Sequence, residues 1–263
     1  MIISGNTSAM AEVQKSTTNR YRHLLAPGHW AGIISVVIAL LLVPVNWHLS
    51  VVALAVYGLA SVAAPCIPRL GFFLNVTSRG CTGRQAVALT FFVTGSKVVQ
   101  YPHLIEAIIE HGHSIGNHGY HHDPLIFFKG RRSLSCDIAA TQDALKSFGI
   151  LPRVYRPPVG ILAPGLRRPL DDAGLSVVNF SCRAYDRGNQ RIQGLAARIL
   201  KNVRKDDIIL LHDIMPRGEA YVSVWIREIK ELLNGLRVKG LRIAPLQELI
   251  GHPVMETRTA PPS

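Results

Sequence analysis

The sequence has few acidic residues, and this shortage limits its possible partners. Against 29 lysines and arginines there are only 17 aspartates and glutamates, a formal net charge of +12 in 263 residues. The basic residues are scattered and no DNA- or RNA-reading motif accompanies them, so we expect no nucleic-acid partner. An excess of basic residues is typical of the flanks of a membrane segment. It can also attract the protein to anionic lipid or to an anionic cell-wall polymer.

Cysteine is also scarce. The four cysteines lie far apart and form no Cys-x-x-Cys pair: Cys66, Cys81, Cys136 and Cys182. Zinc ribbons and dithiol redox centres need closely spaced pairs, so this pattern argues against both. The length allows one substantial domain with an additional segment, but not two large domains.

An apolar region in the N-terminal third predicts a membrane anchor. Nearly every residue from Ala31 to Val45 is apolar, and the run resumes from Leu49 to Ala64. A helix needs about 20 apolar residues to span a bilayer, so the region is too long for one span and just enough for two. We predict a transmembrane helical hairpin at 30–66, with its turn near Pro44–His48. A buried helix pair is the alternative, but neither run has a polar face.

Basic residues before and after the hairpin bear on its orientation. Under the positive-inside rule, two spans would leave both ends and the C-terminal domain in the cytoplasm, whereas a single kinked span would place that domain outside. We predict a membrane location, the inner membrane of a bacterium, with the side of the domain left open. The other predicted segments are a polar stretch at 1–29, a linker at 67–86 and a disordered tail at 252–263.

The C-terminal domain alternates short apolar strands with amphipathic helices. Six strands are predicted, at Ala88–Val93, Ser114–Asn117, Val154–Arg156, Ser176–Phe180, Ile208–His212 and Leu241–Ile243. This alternation indicates an α/β fold with a mainly parallel sheet, open or closed into a barrel. In such folds active sites form past the carboxyl ends of the strands, so the polar residues there are the candidate site.

Candidate functional residues follow three of these strands. His118 and His122 are four residues apart and can bind one metal ion, although such a pair is also common on surfaces. Arg156 precedes two prolines and would carry its charge on a rigid turn. His212 ends an apolar strand. A histidine that is partly shielded from water at such a position can act as a general acid or base near neutral pH.

Several segments, in order, resemble the polysaccharide deacetylases of carbohydrate esterase family 4. "TFFVTGSKVVQYPHLIEAIIEHGHSIGNHGYHH" resembles the segment around the family's metal-binding histidines, "RPPVG" its arginine motif and "IILLHD" its last motif. The resemblance covers a domain at 87–251 and implies an incomplete (β/α) barrel of about six strands. It also implies a metal-dependent hydrolase that removes an N-acyl group, acetyl or formyl, from an amino sugar in a polysaccharide or lipid-linked glycan.

The resemblance implies a role for each matching residue. His118 and His122 would be ligands of a divalent metal ion, commonly zinc, which polarises the amide carbonyl and activates a water. His212 would be the general acid, Asp186 its orienting partner and Arg156 the tether of the catalytic base.

Three further residues would contact the substrate by the same resemblance. Leu211 would line the pocket for the acetyl methyl group, and a backbone N–H near Val159 would help to hold the oxyanion. Tyr120 would also contact the glycan. The family usually has an aromatic residue at the position of Val159, so this wall of the pocket is altered.

The family's first strand motif, Thr-Phe-Asp-Asp-Gly, is missing. Its first aspartate is the general base and its second completes a His-His-Asp metal site. Here the strand from Val87 to Phe91 continues directly into Phe92–Gly95, which resembles the end of the family's next strand. A strand–helix–strand crossover needs at least about a dozen residues, so the loss is large.

We expect the missing aspartates to weaken metal binding and to impair hydrolysis. Asp123 and Asp213 could in principle replace the missing aspartates, but neither occupies the family's base position. Arg156 would lose its carboxylate partner, so its loop should loosen toward water. We interpret the gap as a recent deletion or a faulty gene model; the alternative is a catalytically inactive, membrane-bound carbohydrate-binding or scaffold protein.

Overall fold

The computed structural model of the protein describes residues 26–64, 72–162, 164–216 and 218–257. They form two compact units: residues 26–64 with Phe72 and Phe73, and the chain from Leu74 onward. The predicted polar stretch, up to residue 25, and most of the join between the units lie outside the described residues.

The first unit is a hairpin of two apolar helices. Helix α1 spans Pro27–Leu42 and helix α2 spans Trp47–Ala63, with the chain reversing over residues 43–46. The buried hydroxyl of Ser50 donates to the carbonyl of Ala39 at 2.7 Å and links the helices. The predicted helical hairpin and the position of its turn are confirmed.

The predicted transmembrane character of the hairpin is not supported. Throughout the described ranges, no helix is at once long enough and apolar enough to cross a bilayer.

The second unit contains short strands separated by longer helices. Its strands are β1 (Val76–Thr77), β2 (Ala86–Val87), β3 (Phe91–Val93), β4 (Ile115–Asn117), β5 (Ile150–Pro152), β6 (Val154–Tyr155), β7 (Ser176–Val178), β8 (Cys182–Arg183), β9 (Ile209–Leu210), β10 (Arg242–Ile243) and β11 (Met255–Thr257). Its helices are α3 (Gly95–Gln100), α4 (Pro102–Glu110), α5 (Arg131–Lys146), α6 (Arg167–Asp172), α7 (Leu195–Asn202), α8 (Glu219–Val238) and α9 (Leu246–Ile250). The predicted alternation of strands and helices is confirmed.

Most strand pairs are parallel. Five strands form one sheet in the order β1-β7-β6-β4-β3. Two further parallel pairs, β10 with β2 and β8 with β9, are joined by a bridge between Ala88 and Ile208. The predicted α/β fold is therefore confirmed, with its strands divided among several sheets of the described chain rather than joined in a single one.

The predicted strand Ala88–Val93 is in fact two strands with different partners. Strand β2 pairs with β10 and continues to Ala88, whereas β3 pairs with β4. Only Leu89 and Thr90 separate the two pairings, too few residues for a helical crossover. The change of strand lies at these residues, not between Phe91 and Phe92 as the sequence motifs suggest.

Two segments predicted to lie outside the domain belong to it. Strand β1, in the predicted linker, pairs with β7, and β11, in the predicted disordered tail, pairs antiparallel with β5. Arg153 donates to both carboxylate oxygens of Glu256, at 2.9 and 2.6 Å, which ties the last strand down. The domain thus extends beyond both predicted limits, and residues 258–263 lie outside the described chain.

A buried carboxylate connects three segments near the start of β9. Asp207 is 1% exposed and accepts from the guanidinium of Arg79 (2.6 Å) and the hydroxyl of Ser181 (2.6 Å). It also accepts from the backbone N–H of Arg204 at 2.7 Å. Buried charges are tolerated when they are paired and hydrogen-bonded in this way.

Replacing Asp207 by asparagine should lower the free energy of unfolding by about 2–4 kcal/mol, because the contact with Arg79 loses its charge and the amide has one acceptor oxygen where the carboxylate has two. Urea-induced unfolding measures this difference. The control is Glu231→Gln on the exposed face of α8, whose carboxylate lies 3.9 Å from Arg227; it should change stability by less than about 0.5 kcal/mol. Equal losses in both variants would contradict the role given to Asp207.

Candidate active site

Polar side chains gather at the carboxyl ends of four strands. His118 follows β4, Arg156 follows β6, Asp186 follows β8 and His212 follows β9. Parallel strands end at a common edge, which is why residues far apart in the chain meet there. The charges of Arg156 and His212 both act on His118, so the structure brings these predicted residues into one site.

Asp186 and His212 form a hydrogen-bonded pair. Both carboxylate oxygens of Asp186 lie 2.9 Å from Nδ1 of His212, so Nε2 is the ring nitrogen left for another partner. This hydrogen bond raises the pKa of His212, and the charge of Asp213 adds to the effect. Burial alone would raise the pKa of Asp186, but the bond to His212 lowers it overall. The imidazole of His212 therefore keeps its proton to a higher pH than a free histidine does, and its Nε2 is the position from which a proton can be donated.

The loop that carries Asp186 is strained and tightly held. Tyr185, Arg187 and Asn189 all have positive φ angles, between 52° and 63°. The Asn189 amide donates to the carbonyls of His212 and Ile214 at 2.8 and 2.7 Å. Strained loops of this kind persist where the surroundings fix them, often at functional sites. Sequence reasoning missed Asn189, and no sequence signal pointed to it.

His118 and His122 also lie together. Their ring centroids are 4.9 Å apart, and Nδ1 of His118 lies 2.7 Å from the carbonyl oxygen of Arg156. A carbonyl only accepts, so Nδ1 carries the proton and Nε2 is free. Burial lowers the pKa of His118 to about 3, and the nearby charges of His122, Arg156 and His212 contribute. His118 is therefore neutral at physiological pH.

A carboxylate on α5 holds the loop between these histidines. Asp137 accepts from the backbone N–H groups of Tyr120 (3.0 Å) and His121 (3.3 Å). The ring of Tyr120 covers Gly95, where an added Cβ would collide with it. Sequence reasoning missed Asp137. The available signal was an acidic residue directly beside Ile138 on the buried face of the helix.

Arg156 stays buried, and the expectation that its loop loosens toward water is wrong. It is 5% exposed, and its guanidinium donates to the carbonyls of Val178 (3.3 Å) and Asn179 (3.1 Å). The ring of Phe92 lies beneath it, with Cζ 3.8 Å from the ring centroid. These contacts replace part of the stabilisation that a carboxylate would give. Burial lowers the pKa of Arg156 to about 9, so it is a cation at neutral pH.

Two predicted substrate-facing residues, Val159 and Leu211, are close in sequence to Arg156 and His212. Val159 is 50% exposed and has a φ of 52°, an unusual conformation for a β-branched residue. Leu211 is half-buried beside His212. The side chain of Val159 is therefore exposed to solvent, while Leu211 packs against the hydrophobic core that includes Ile209.

The residues present do not complete a metal site. In the part of the chain that the structure describes, no group of three or more histidine, cysteine or carboxylate side chains could hold a metal ion. Asp123 does not substitute, since its carboxylate is paired with Lys129 at 2.6 Å. Catalytic zinc sites use three protein ligands, and His118 and His122 supply two beside the cation Arg156. A resident divalent metal ion does not fit this set.

Comparisons with known proteins agree with one another. Residues 83–178 match the family model described as polysaccharide deacetylase. A chitooligosaccharide deacetylase of Sinorhizobium fredii is 31% identical over 170 residues, covering 62% of this chain and 79% of the relative. A peptidoglycan-N-acetylglucosamine deacetylase of Bacillus cereus is 27% identical over 168 residues, covering 62% and 75%. The crystal structure of a peptidoglycan N-acetylglucosamine deacetylase superimposes with a TM-score of 0.60 at 21% identity, over 68% of this chain and 94% of that one, which shows a shared fold.

Replacing Asp186 by asparagine should lower the pKa of His212 toward its ordinary value, because the hydrogen bond to the carboxylate is the largest cause that raises it. NMR titration of the imidazole measures the change.

A raised folded-state pKa adds stability below the unfolded value of about 6.5, and this stability is lost as the pH rises through the folded-state pKa. Asp186→Asn should thus cost more stability at about pH 6 than at about pH 9.

Asp213→Asn is the matched control for this titration, since Asp213 acts on His212 only through its charge. It should lower the pKa of His212 by less than Asp186→Asn does. A larger fall with Asp213→Asn would show that the hydrogen bond is not the main cause.

Proposed function

This chain belongs to the polysaccharide deacetylase family, hydrolases of carbon–nitrogen bonds, and we propose that it removes an acetyl group from an N-acetylated amino sugar in a glycan. The single observation that carries the proposal is the hydrogen-bonded pair of Asp186 and His212 at the carboxyl ends of β8 and β9. The named relatives act on peptidoglycan and on chitooligosaccharides. A glycan containing N-acetylglucosamine is therefore the proposed substrate.

His212 is the proposed proton donor. Amide hydrolysis releases an amine, and the departing nitrogen needs a proton. Nε2 of the charged imidazole supplies it, while Asp186 fixes the ring through Nδ1 and stabilises the charge. Leu211 faces the acetyl methyl group, and a backbone N–H near Val159 faces the developing oxyanion.

Hydrolysis by this chain is proposed to be slow. His118 and His122 alone do not hold a metal ion firmly, and among the described residues no acidic side chain pairs with Arg156 to serve as the base that accepts a proton from water. The proposal therefore includes no metal-dependent step. Binding of the glycan and protonation of the leaving nitrogen depend only on groups that this chain retains.

The helical hairpin is proposed to hold the chain at a membrane, the inner membrane of a bacterium. Its large apolar side chains are mostly exposed, with Leu40, Leu59 and Val62 between 67% and 77%. Exposed apolar surface of this extent marks a membrane or protein contact. Residues 30–64 include no charged side chain, which favours lipid as the contact.

Incubation of the full chain with an N-acetylglucosamine oligomer, without added metal salt, should release acetate slowly, and His212→Ala should reduce the rate about 100-fold or more. Enzymatic assay of acetate measures the rate. His103→Ala is the control, because His103 lies on the exposed face of α4 against Tyr101, away from the strand ends. If the unmodified chain binds the oligomer but releases no acetate, the deacetylase proposal fails and an inactive carbohydrate-binding protein is supported.

Leu40→Glu combined with Leu59→Glu should abolish co-flotation of the full chain with phospholipid vesicles, because charged side chains are costly in an apolar bilayer. Leu104→Glu is the control, since Leu104 is 51% exposed on α4 in the other unit; it should float as the unmodified protein does. Flotation that survives the double change would refute attachment through the hairpin.

A further inference from the structure

The loop that carries Asp186 is bound at both ends by one side chain of the helix that follows it. This Asp186 loop, residues 184–193, joins the end of β8 to the start of α7. The guanidinium of Arg198, in the first turn of α7, donates to three backbone carbonyls of the loop. They are those of Ala184 (2.8 Å, from Nε), Gln193 (2.7 Å, from Nη1) and Arg191 (2.6 Å, from Nη2).

Arginine is well suited to this contact. A guanidinium has five N–H donors in one rigid plane, and here all three nitrogens of Arg198 each reach a different carbonyl. Hydrogen bonds from a charged donor are roughly twice as strong as neutral ones. Removal of this one side chain would therefore release both ends of the Asp186 loop together.

The helix that carries Arg198 is itself fixed. The carboxylate of Glu228, 7% exposed on α8, accepts from the backbone N–H groups of Gly194 (2.6 Å) and Ala196 (2.9 Å). N–H groups at the start of a helix have no partner within it, so this carboxylate satisfies two of them. The buried face of α7 also packs with α8 in one hydrophobic core. Arg198 thus binds the loop from a rigid support.

The Asp186 loop needs such support because its backbone is strained. Three of its residues other than glycine have φ in the left-handed region. They are Tyr185 (54°), Arg187 (52°) and Asn189 (63°). Strained backbone persists only where the surrounding structure fixes it. Arg198 fixes the loop from α7, while the side chain of Asn189 fixes it to the chain that follows β9.

The position of Asp186 decides the orientation of His212. Both carboxylate oxygens lie 2.9 Å from Nδ1 of the imidazole, and hydrogen bonds weaken steeply when distance or angle departs from such values. A displacement of about 1 Å in an active site can lower the rate about 100-fold, even when the change that causes it lies elsewhere. The three bonds of Arg198 go to backbone carbonyls, so it would act through the loop.

We propose that Arg198 is a positioning residue, which holds both ends of the Asp186 loop and so places the carboxylate of Asp186 on Nδ1 of His212. The direction in which Nε2 points is set by this contact. Its use as a proton donor rests on the proposed function, whereas the placement of the imidazole does not.

Proton NMR of the full chain tests this placement. The proton that Nδ1 of His212 shares with Asp186 should give a resonance far downfield of ordinary N–H signals. Arg198→Met should remove or shift this resonance, because it deletes all three donors. Arg198→Lys keeps the charge, but a single ammonium cannot bridge both ends of the loop, so it should restore the resonance only in part.

Arg191→Met is the matched control. It makes the same substitution at an exposed arginine of the loop and keeps the backbone carbonyl that Arg198 binds, so the resonance should not change. Urea-induced unfolding shows which variants are folded, and Arg198→Lys carries the test alone if the methionine variant is not. An unchanged resonance in every Arg198 variant that folds would overturn the proposal.

A double-mutant cycle separates positioning from a general loss of stability. If Arg198 acts through Asp186, Arg198→Met should lower kcat for acetate release about 10- to 100-fold with KM nearly unchanged. In an Asp186→Asn background the same substitution should then change kcat less than about twofold. Losses that simply multiply in the combined variant would contradict the positioning role.

The two readouts also separate this inference from the proposed function. A resonance that Arg198→Met shifts, in a chain that releases no acetate, leaves the placement of His212 standing and defeats the deacetylase proposal. Acetate release with a resonance that no Arg198 variant changes does the reverse.

Discussion

Arg156 connects the site to the sheet through both its backbone and its side chain. Its N–H binds the carbonyl of Asn117, its carbonyl oxygen fixes the ring of His118, and its guanidinium holds the chain at the end of β7. Three neighbouring strands are therefore tied together at their carboxyl ends by one residue. The position of His118 and the electrostatics of the site both depend on this residue, which explains why it remains buried although no carboxylate pairs with it.

Helix α4 could be predicted well because its signal is local. The apolar spacing of residues 101–111, closed by Gly112, is enough to place α4 within a residue at each end. Strands β1 and β11 have two or three residues, too few for an alternating pattern, and their pairing depends on distant partners. The apolar run at Ala88–Val93 contains no glycine or proline, so nothing local marks the change of partner within it.

Site residues that belong to a sequence motif could be predicted, whereas residues that act only through contacts with distant parts of the chain could not. Motif resemblance pointed to the histidines, Arg156 and Asp186, and the structure brings them together. Asp137 and Asn189 act through hydrogen bonds to residues 16 or more positions away, which no spacing reveals. The expected loosening of the arginine loop was wrong because the sequence does not show that Phe92 would stack on the guanidinium.

The pairing of β2 with β10 also affects how the chain is made. Ala86 pairs with Arg242, so β2 leaves the ribosome about 150 residues before its partner is synthesised. Contacts this distant in sequence slow folding, because the intervening chain must first be ordered. During that interval β2 is an unpaired apolar edge in a nascent polypeptide. The helices of the hairpin, α1 and α2, are adjacent in sequence, so both are synthesised before β2 and can pair early. The demand for chaperone protection during translation should therefore fall on the C-terminal domain.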